Sequence, residues 1–116
     1  MAEPLEIVDA GGSGAAVILR VAGRLDAKSA PALLQRCAAA RAGRRHLVLN
    51  LSGVTFIASS GIGALLGLAE EFRQGRYRVR FVCLSSAVSS VIGLLNLDQF
   101  LAIDAGEEEA LDELAA

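Results

Sequence analysis

The sequence predicts an α/β fold: a small mixed, largely parallel β-sheet with helices packed against it. Three observations carry that prediction. Two strand-like runs at the start are joined by "GGSG", and from Asp26 onward strand-length apolar runs alternate with stretches of helical spacing. The segment "HLVLNL" (46–51) is too apolar for a strand with one face in water, so it reads as central and parallel. Regular βα alternation implies parallel strands joined by right-handed crossovers.

Residues 5–10 and 15–23 read as the first two strands, and Gly11, Gly12 and Gly14 permit the positive φ of a hairpin turn. The first helix starts at Asp26 or Ser29 as N-cap, with Pro31 tolerated in its first turn. Leu33, Leu34, Cys37, Ala38 and Arg41 keep helical spacing, and Gly43 is a natural stop. The central strand follows at 46–51. A second helix is expected over 60–73, ended by Gly75. In "RYRVRFVCL" (76–84), Arg76, Arg78 and Arg80 alternate with Tyr77, Val79 and Phe81, which predicts a strand with a solvated basic face. "SSAVSSVIGLLNL" reads as a third helix capped by Ser85 or Ser86, and "FLAID" as a last short strand. "GEEEALDELAA" is a closing helix with its acids in the first turn, where the helix dipole favours them. The expected core holds Val17, Leu19, Val48, Leu49, Leu51, Leu65, Leu66, Val79 and Phe81.

The 116 residues are read as one domain. Hydrophobic residues make up 53% and aromatics only 4%, so the core must be aliphatic. Eleven basic and thirteen acidic residues leave a formal charge of −2, without the basic excess that nucleic-acid binding asks for. Two cysteines, far apart and in no metal-like spacing, suit a reducing cytosol. The opening "MAEPLEIVD" has acids where a signal peptide is basic, and the longest apolar run, 62–69, is far short of the roughly 20 residues that span a bilayer. A cytoplasmic location without membrane insertion is expected.

The stretch "FIASSGIGALLG" (56–67) sets two serines between a strand and a helix. A serine nucleophile needs a base, and the only histidine, His46, starts the strand whose other end leads to Ser59. The Gly-x-Ser-x-Gly elbow is missing as well, so no enzyme is expected. The glycines Gly61, Gly63 and Gly67 do not match the dinucleotide fingerprint, and no P-loop lysine follows. Their expected role is to let the helix lie close to the sheet. Glu107, Glu108 and Glu109 are consecutive and splay around a helix, while Asp26, Asp98 and Asp104 lack a neighbouring ligand. No metal or cofactor is expected, and Cys37 and Cys83 read as small buried apolar residues. Two roles for the serines remain. One is capping of orphaned amides; the other is a surface where an added anion is favoured by free amides and the helix dipole.

The run "LVLNLSGVTFIASSGIGALLGL", with "VAGRLD" before it and "VIGLLNLDQFLAI" after it, resembles the STAS domain of bacterial anti-sigma factor antagonists. That resemblance implies that Ser59 is a phosphoacceptor, while Ser60 is expected to cap the helix rather than accept phosphate. It implies a binding surface of Asp26, Ala58, Ser59, Ser60, Gly61 and Ile62. The implied partner is an anti-sigma factor that is also a serine kinase, with a serine phosphatase resetting the cycle. The chain departs from the family pattern at Ala58, where an aspartate is usual. The departure suits a second class, a STAS subunit of a lipid-transport ABC complex or another binding module with no phosphorylation cycle.

Overall fold

In the computed structural model, which describes residues 4–115, Gly11 and Gly12 take φ of +90° and +117° and reverse the chain. Strand β1 (Glu6–Gly12) thereby lies antiparallel to β2 (Ala16–Leu25). Helix α1 (Ala30–Ala42) returns the chain to β3 (His46–Ile57), and α2 (Ser59–Gln74) leads to β4 (Val79–Val82). Helix α3 (Ser86–Leu94) and a 3-10 turn (Leu97–Gln99) precede β5 (Ile103–Asp104), and α4 (Glu107–Ala115) closes the chain. The sheet runs β1-β2-β3-β4-β5, with every pair after the first parallel. This is the mixed, largely parallel α/β architecture that the sequence predicts. Residues 1–3, which bear on the reading of a leader, and Ala116, at the end of the expected last helix, lie outside the described residues.

Alternation along the strands divides the core in two. Val17, Leu19, Leu49, Leu51 and Phe81 point to the face covered by α1, α2 and α3, which contribute Leu33, Leu65 and Val88 among others. Ala16, Ile18, Val48 and Val82 point to the other face, where Ala110 and Leu114 of α4 cover them. Both faces of the central strand are therefore dry from Leu47 to Leu51, as that stretch requires. Cys37 is fully buried, and burial pushes its thiol up to about 12. Cys83 is only half-buried and takes a positive φ.

Several expectations are corrected. The strand expected at 46–51 runs on to Ile57 and so carries the chain straight to Ser59. The strand expected over 76–84 begins only at Val79, because Arg76 turns the chain with φ of +66°. The basic stripe is solvated at Arg76 and Arg78 but not at Arg80. Arg80 is bonded to Asp104 of β5 at 2.7 Å through both ends of its guanidinium, and the two side chains are only 17% and 12% exposed. Leu66 is half-buried at the rim of the core instead of within it. Gly63 and Gly67 do not bring α2 close to the sheet, since a Cβ on either would meet open space.

Candidate functional site

The candidate site forms where β2 and β3 end together. Leu25 pairs with Ile57, and the Ala58 N–H donates to the Leu25 carbonyl at 2.9 Å. The chain then turns directly into α2. Its first turn lies so close to β2 that a Cβ on Gly61 would sit 2.7 Å from the Leu25 carbonyl oxygen and 3.0 Å from Ile57 Cγ1. Of the three glycines in the segment, Gly61 alone is required by that approach. The contact sets the start of α2 beside the turn that follows Leu25, which begins with Asp26.

Asp26 organises that turn. Its carboxylate Oδ1 accepts from the amides of Lys28 and Ser29 at 3.0 and 3.2 Å and from the Ser29 hydroxyl at 3.2 Å. The Ser29 hydroxyl donates in turn to the Arg24 carbonyl at 2.8 Å. The Ser29 amide, then the Lys28 amide, the Ser29 hydroxyl and the Arg24 charge, hold the Asp26 carboxyl below its ordinary value against the opposing effect of burial. A fixed negative charge therefore stands in this turn at neutral pH. Just upstream, the Arg24 guanidinium lies 4.0 Å from the centre of the half-exposed Phe56 ring, a cation–π pair that the spacing of the sequence did not indicate.

The two serines are not caps. Ala58 occupies the N-cap position with extended backbone (φ −92°, ψ 169°), and no side chain caps the helix. This corrects the expectation that Ser60 serves there. Ser59 is instead the first residue of α2, and both serines are exposed. The hydroxyl of Ser59 thus stands in solvent beside a helix start whose first amides lack a side-chain acceptor. Ile62 is half-buried one turn further on.

Ser59 also heads an uninterrupted face of α2. Ile62, Leu66, Ala69 and Arg73 follow it at helical spacing. Leu66, Ala69, Glu70 and Arg73 form one wall of an open cavity of about 450 Å³, with Leu97 and Phe100 opposite. Phe100 is 67% exposed and Leu94, near it in the chain, 81%. Sequence reasoning missed this apolar surface because it took Leu66 for core and "FLAID" for a strand from its first residue. Phe100 lies in the loop before β5.

His46 stands away from all of this, at the other end of a twelve-residue strand, a span on the order of 35 Å. Its Nδ1 accepts from the Arg78 amide at 3.0 Å, its ring meets the edge of Tyr77, and burial followed by the Arg78 charge lowers its pKa. No hydrogen-bonded nucleophile–base pair is formed with Ser59. Among the described residues no three His, Cys, Asp or Glu side chains converge as a metal site, and no helix is long and apolar enough to cross a membrane.

A five-stranded, mostly parallel mixed sheet packed with four helices is an arrangement that known proteins share. The STAS domain model matches residues 8–110, and the chain belongs to that family. Its structure is similar to that of an anti-sigma factor antagonist from Mycobacterium paratuberculosis, with 25% sequence identity, full coverage of both chains and a TM-score of 0.84. It is also similar to the anti-sigma factor antagonist SpoIIAA in its unphosphorylated form, at 27% identity over 98% of this chain and 96% of that one, with a TM-score of 0.72. The Bacillus cell fate determinant SpoIIAA in its phosphorylated form matches at 26% identity over 97% and 99% of the two chains, with a TM-score of 0.66.

Proposed function

We propose that this chain is an anti-sigma factor antagonist that docks its anti-sigma factor through the surface around Ser59 and is released when Ser59 is phosphorylated. The observation that carries this reading is the exposed, uncapped Ser59 at the head of α2. Likeness to antagonists solved in both unphosphorylated and phosphorylated forms supports it. The docking surface consists of Asp26, Ala58, Ser59, Ser60, Gly61 and Ile62, and the apolar face of α2 beyond them extends it. The partner carries serine-kinase activity, and a serine phosphatase restores the hydroxyl.

The chemistry of release follows from charge. A phosphoryl group adds about −1.5 to −2 charge at neutral pH. In the free protein that charge faces water and the amide end of α2, which favours it by about 0.3–1 kcal/mol. In a complex it must be stripped of water at a close contact, with the Asp26 carboxylate in the adjoining turn. A loss of about 4 kcal/mol weakens binding roughly a thousandfold, far more than the helix end returns.

The test is intact-mass analysis with site mapping on protein taken from the cells that make it, alongside a Ser59→Ala control. A gain of about 80 Da at Ser59, confined to the fraction that has left its partner, is the expected result. A protein that stays unmodified while its pathway is switched on and off would sink the phosphorylation cycle. Ala58 favours the second reading in that case: a constitutive STAS module, such as the subunit of a lipid-transport ABC complex, which would copurify with a membrane ATPase.

A further inference from the structure

Helices α1 and α2 close on the same pattern, Arg-x-Gly-Arg, at residues 41–44 and 73–76. They lead into β3 and β4, parallel neighbours paired from Leu47 and Val79, so both loops lie at one end of the sheet. The loops touch there. The Leu47 amide donates to the Arg78 carbonyl at 3.0 Å, Arg41 pairs with Glu71 of α2 at 3.5 Å, and a Cβ on Gly75 would sit 3.3 Å from Arg41 Nε. Arg41, Arg44, Arg45, Arg73, Arg76 and Arg78 thus gather at the opposite end of β3 from Ser59.

Four of these arginines have duties in the fold. Arg41 and Arg73 stand in the last turns of their helices, where the dipole favours cations, and pair with Glu71 and Glu70. Arg45 ties the hairpin through the Ser13 and Ala16 carbonyls, and Arg78 Nη2 donates to the Glu113 carbonyl at 3.1 Å. Arg44 and Arg76 have no such duty. Both are exposed, and neither side chain makes a hydrogen bond or ion pair among the described residues, although Asp112 and Glu113 at the end of α4 are exposed too. Yet both take the left-handed conformation, φ +58° and +66°, which glycine or asparagine adopts at least cost. Residues held in a costly backbone conformation cluster where function requires their side chains.

We propose that this end of the molecule docks an acidic segment of a protein partner, a run of Asp or Glu whose carboxylates are taken by Arg44 and Arg76. A guanidinium grips a carboxylate through two N–H bonds, a geometry the chain already uses between Arg80 and Asp104 and between Arg20 and Glu107. The surroundings suit a protein acid better than other polyanions. The large hydrophobic side chains exposed among the described residues are Val8, Phe56, Leu94, Leu95 and Phe100, none of them in these loops, so no apolar anchor is offered to a bilayer. Tyr77 is half-buried and turned onto His46, away from the role of a stacking platform for a nucleobase. With Ser59 at the other end of β3, both surfaces can be occupied at once.

The experiment is fluorescence anisotropy of a fluorescein-labelled octaglutamate peptide titrated with the full chain, beside phosphatidylserine vesicles and an oligouridylate. Saturable peptide binding is expected, weakening at least about fivefold between about 50 and 200 mM salt. The double variant Arg44→Gly, Arg76→Gly should weaken it at least about fivefold while holding or raising the thermal midpoint, because glycine suits both φ values. Should that variant lose its fold, Arg44→Asn with Arg76→Asn, which also suits a left-handed backbone, carries the test. Lys28→Glu removes the same net charge elsewhere and should leave the peptide affinity within about twofold. Absence of saturable peptide binding, or an equal loss in Lys28→Glu, overturns the proposal. Tighter binding of the vesicles or the oligouridylate than of the peptide assigns the surface to a membrane or a nucleic acid and overturns it as well. So does a concentration-dependent dimer that the double variant abolishes, since the occupant is then a second copy of the chain.

Discussion

Three of the four helices begin with a side chain that has been given work, and one does not. Ahead of α1 the Asp26 carboxylate collects two amides and a hydroxyl, and at α3 the Ser85 hydroxyl accepts from the Val88 amide at 3.3 Å. At α4 the first residue, Glu107, receives the Arg20 guanidinium at 2.8 and 2.9 Å and the Asn50 amide group at 2.7 Å. Helix α2 starts from Ala58, although two serines follow at once. A start without a cap forgoes about 1 kcal/mol. The N-cap of α1, Ser29, makes no side-chain cap bond either, so what sets α2 apart is that no side chain at its start is engaged, and that start coincides with the exposed serines.

The largest effect on this contrast should come from Gly61, which holds the bare start against β2. In Gly61→Val even the first added atom would be 2.7 Å from the Leu25 carbonyl oxygen and 2.9 Å from Leu25 Cγ. Both belong to the end of a buried strand and cannot swing aside, so the helix must lift. A loss of about 1–3 kcal/mol is expected by chemical denaturation. Gly63→Ala has open space at its Cβ and should be neutral or slightly stabilising through helix propensity. Equal losses for the two would mean that close approach is not what positions the serines.

Next in size is the turn into α1. Asp26→Ala strands two amides and should lower the denaturation midpoint by more than Ser85→Ala does. If Asp26→Ala leaves stability unchanged, the turn is held by its backbone, and the contrast with α2 loses half its basis.

The start of α4 offers a contrast in pH. Hydrogen bonds from Arg20, then Asn50, with the Arg20 charge, hold Glu107 down to about 2 from an ordinary 4.5, against the opposing effect of burial. A depressed carboxyl stabilises the fold above its unfolded value. That contribution is therefore complete above about pH 5 and drains away as pH falls from 4.5 towards 2. Glu107→Gln should lower stability at pH 7 and flatten the acid side of the stability profile. A parallel profile in the variant would show that the Arg20 contact adds nothing in solution.

How legible these features were in the sequence depends on whether the cause was local. The order of elements along the chain, the hairpin, the buried central strand and a serine cap at Ser85 or Ser86 all follow from short-range pattern, and each was readable. The helix stops were readable only in part. Gly43 and Gly75 do end α1 and α2, but the left-handed residue is the arginine after each, Arg44 and Arg76. The Arg45 and Tyr77 amides then reach back to Ala40 and Phe72 at 3.1 and 2.8 Å. Spacing predicts glycine in that conformation, so a strand beginning at Arg76 looked reasonable. The ion pair of Arg80 with Asp104 was illegible because β5 is only two residues long and its register comes from tertiary packing. At the site, the serines and their junction were visible. Their missing cap was not, because Ala58 becomes the N-cap only once β3 is known to continue to Ile57.

The smallest expected effects lie at the bare start itself, and they separate stability from use. Ala58→Ser supplies an acceptor where none exists, and the extended backbone of Ala58 suits a cap, so a gain of about 0.5–1 kcal/mol is expected. Ser59→Ala removes an exposed hydroxyl with no hydrogen-bond partner among the described residues and should shift stability by less than about 0.5 kcal/mol. Thermal and denaturant midpoints measured side by side decide it. A Ser59→Ala loss above about 1 kcal/mol would make the hydroxyl a structural group after all. A near-zero change, joined to loss of phosphate uptake, would leave Ser59 with no duty in the fold, which is what a residue that must change charge without disturbing its own domain requires.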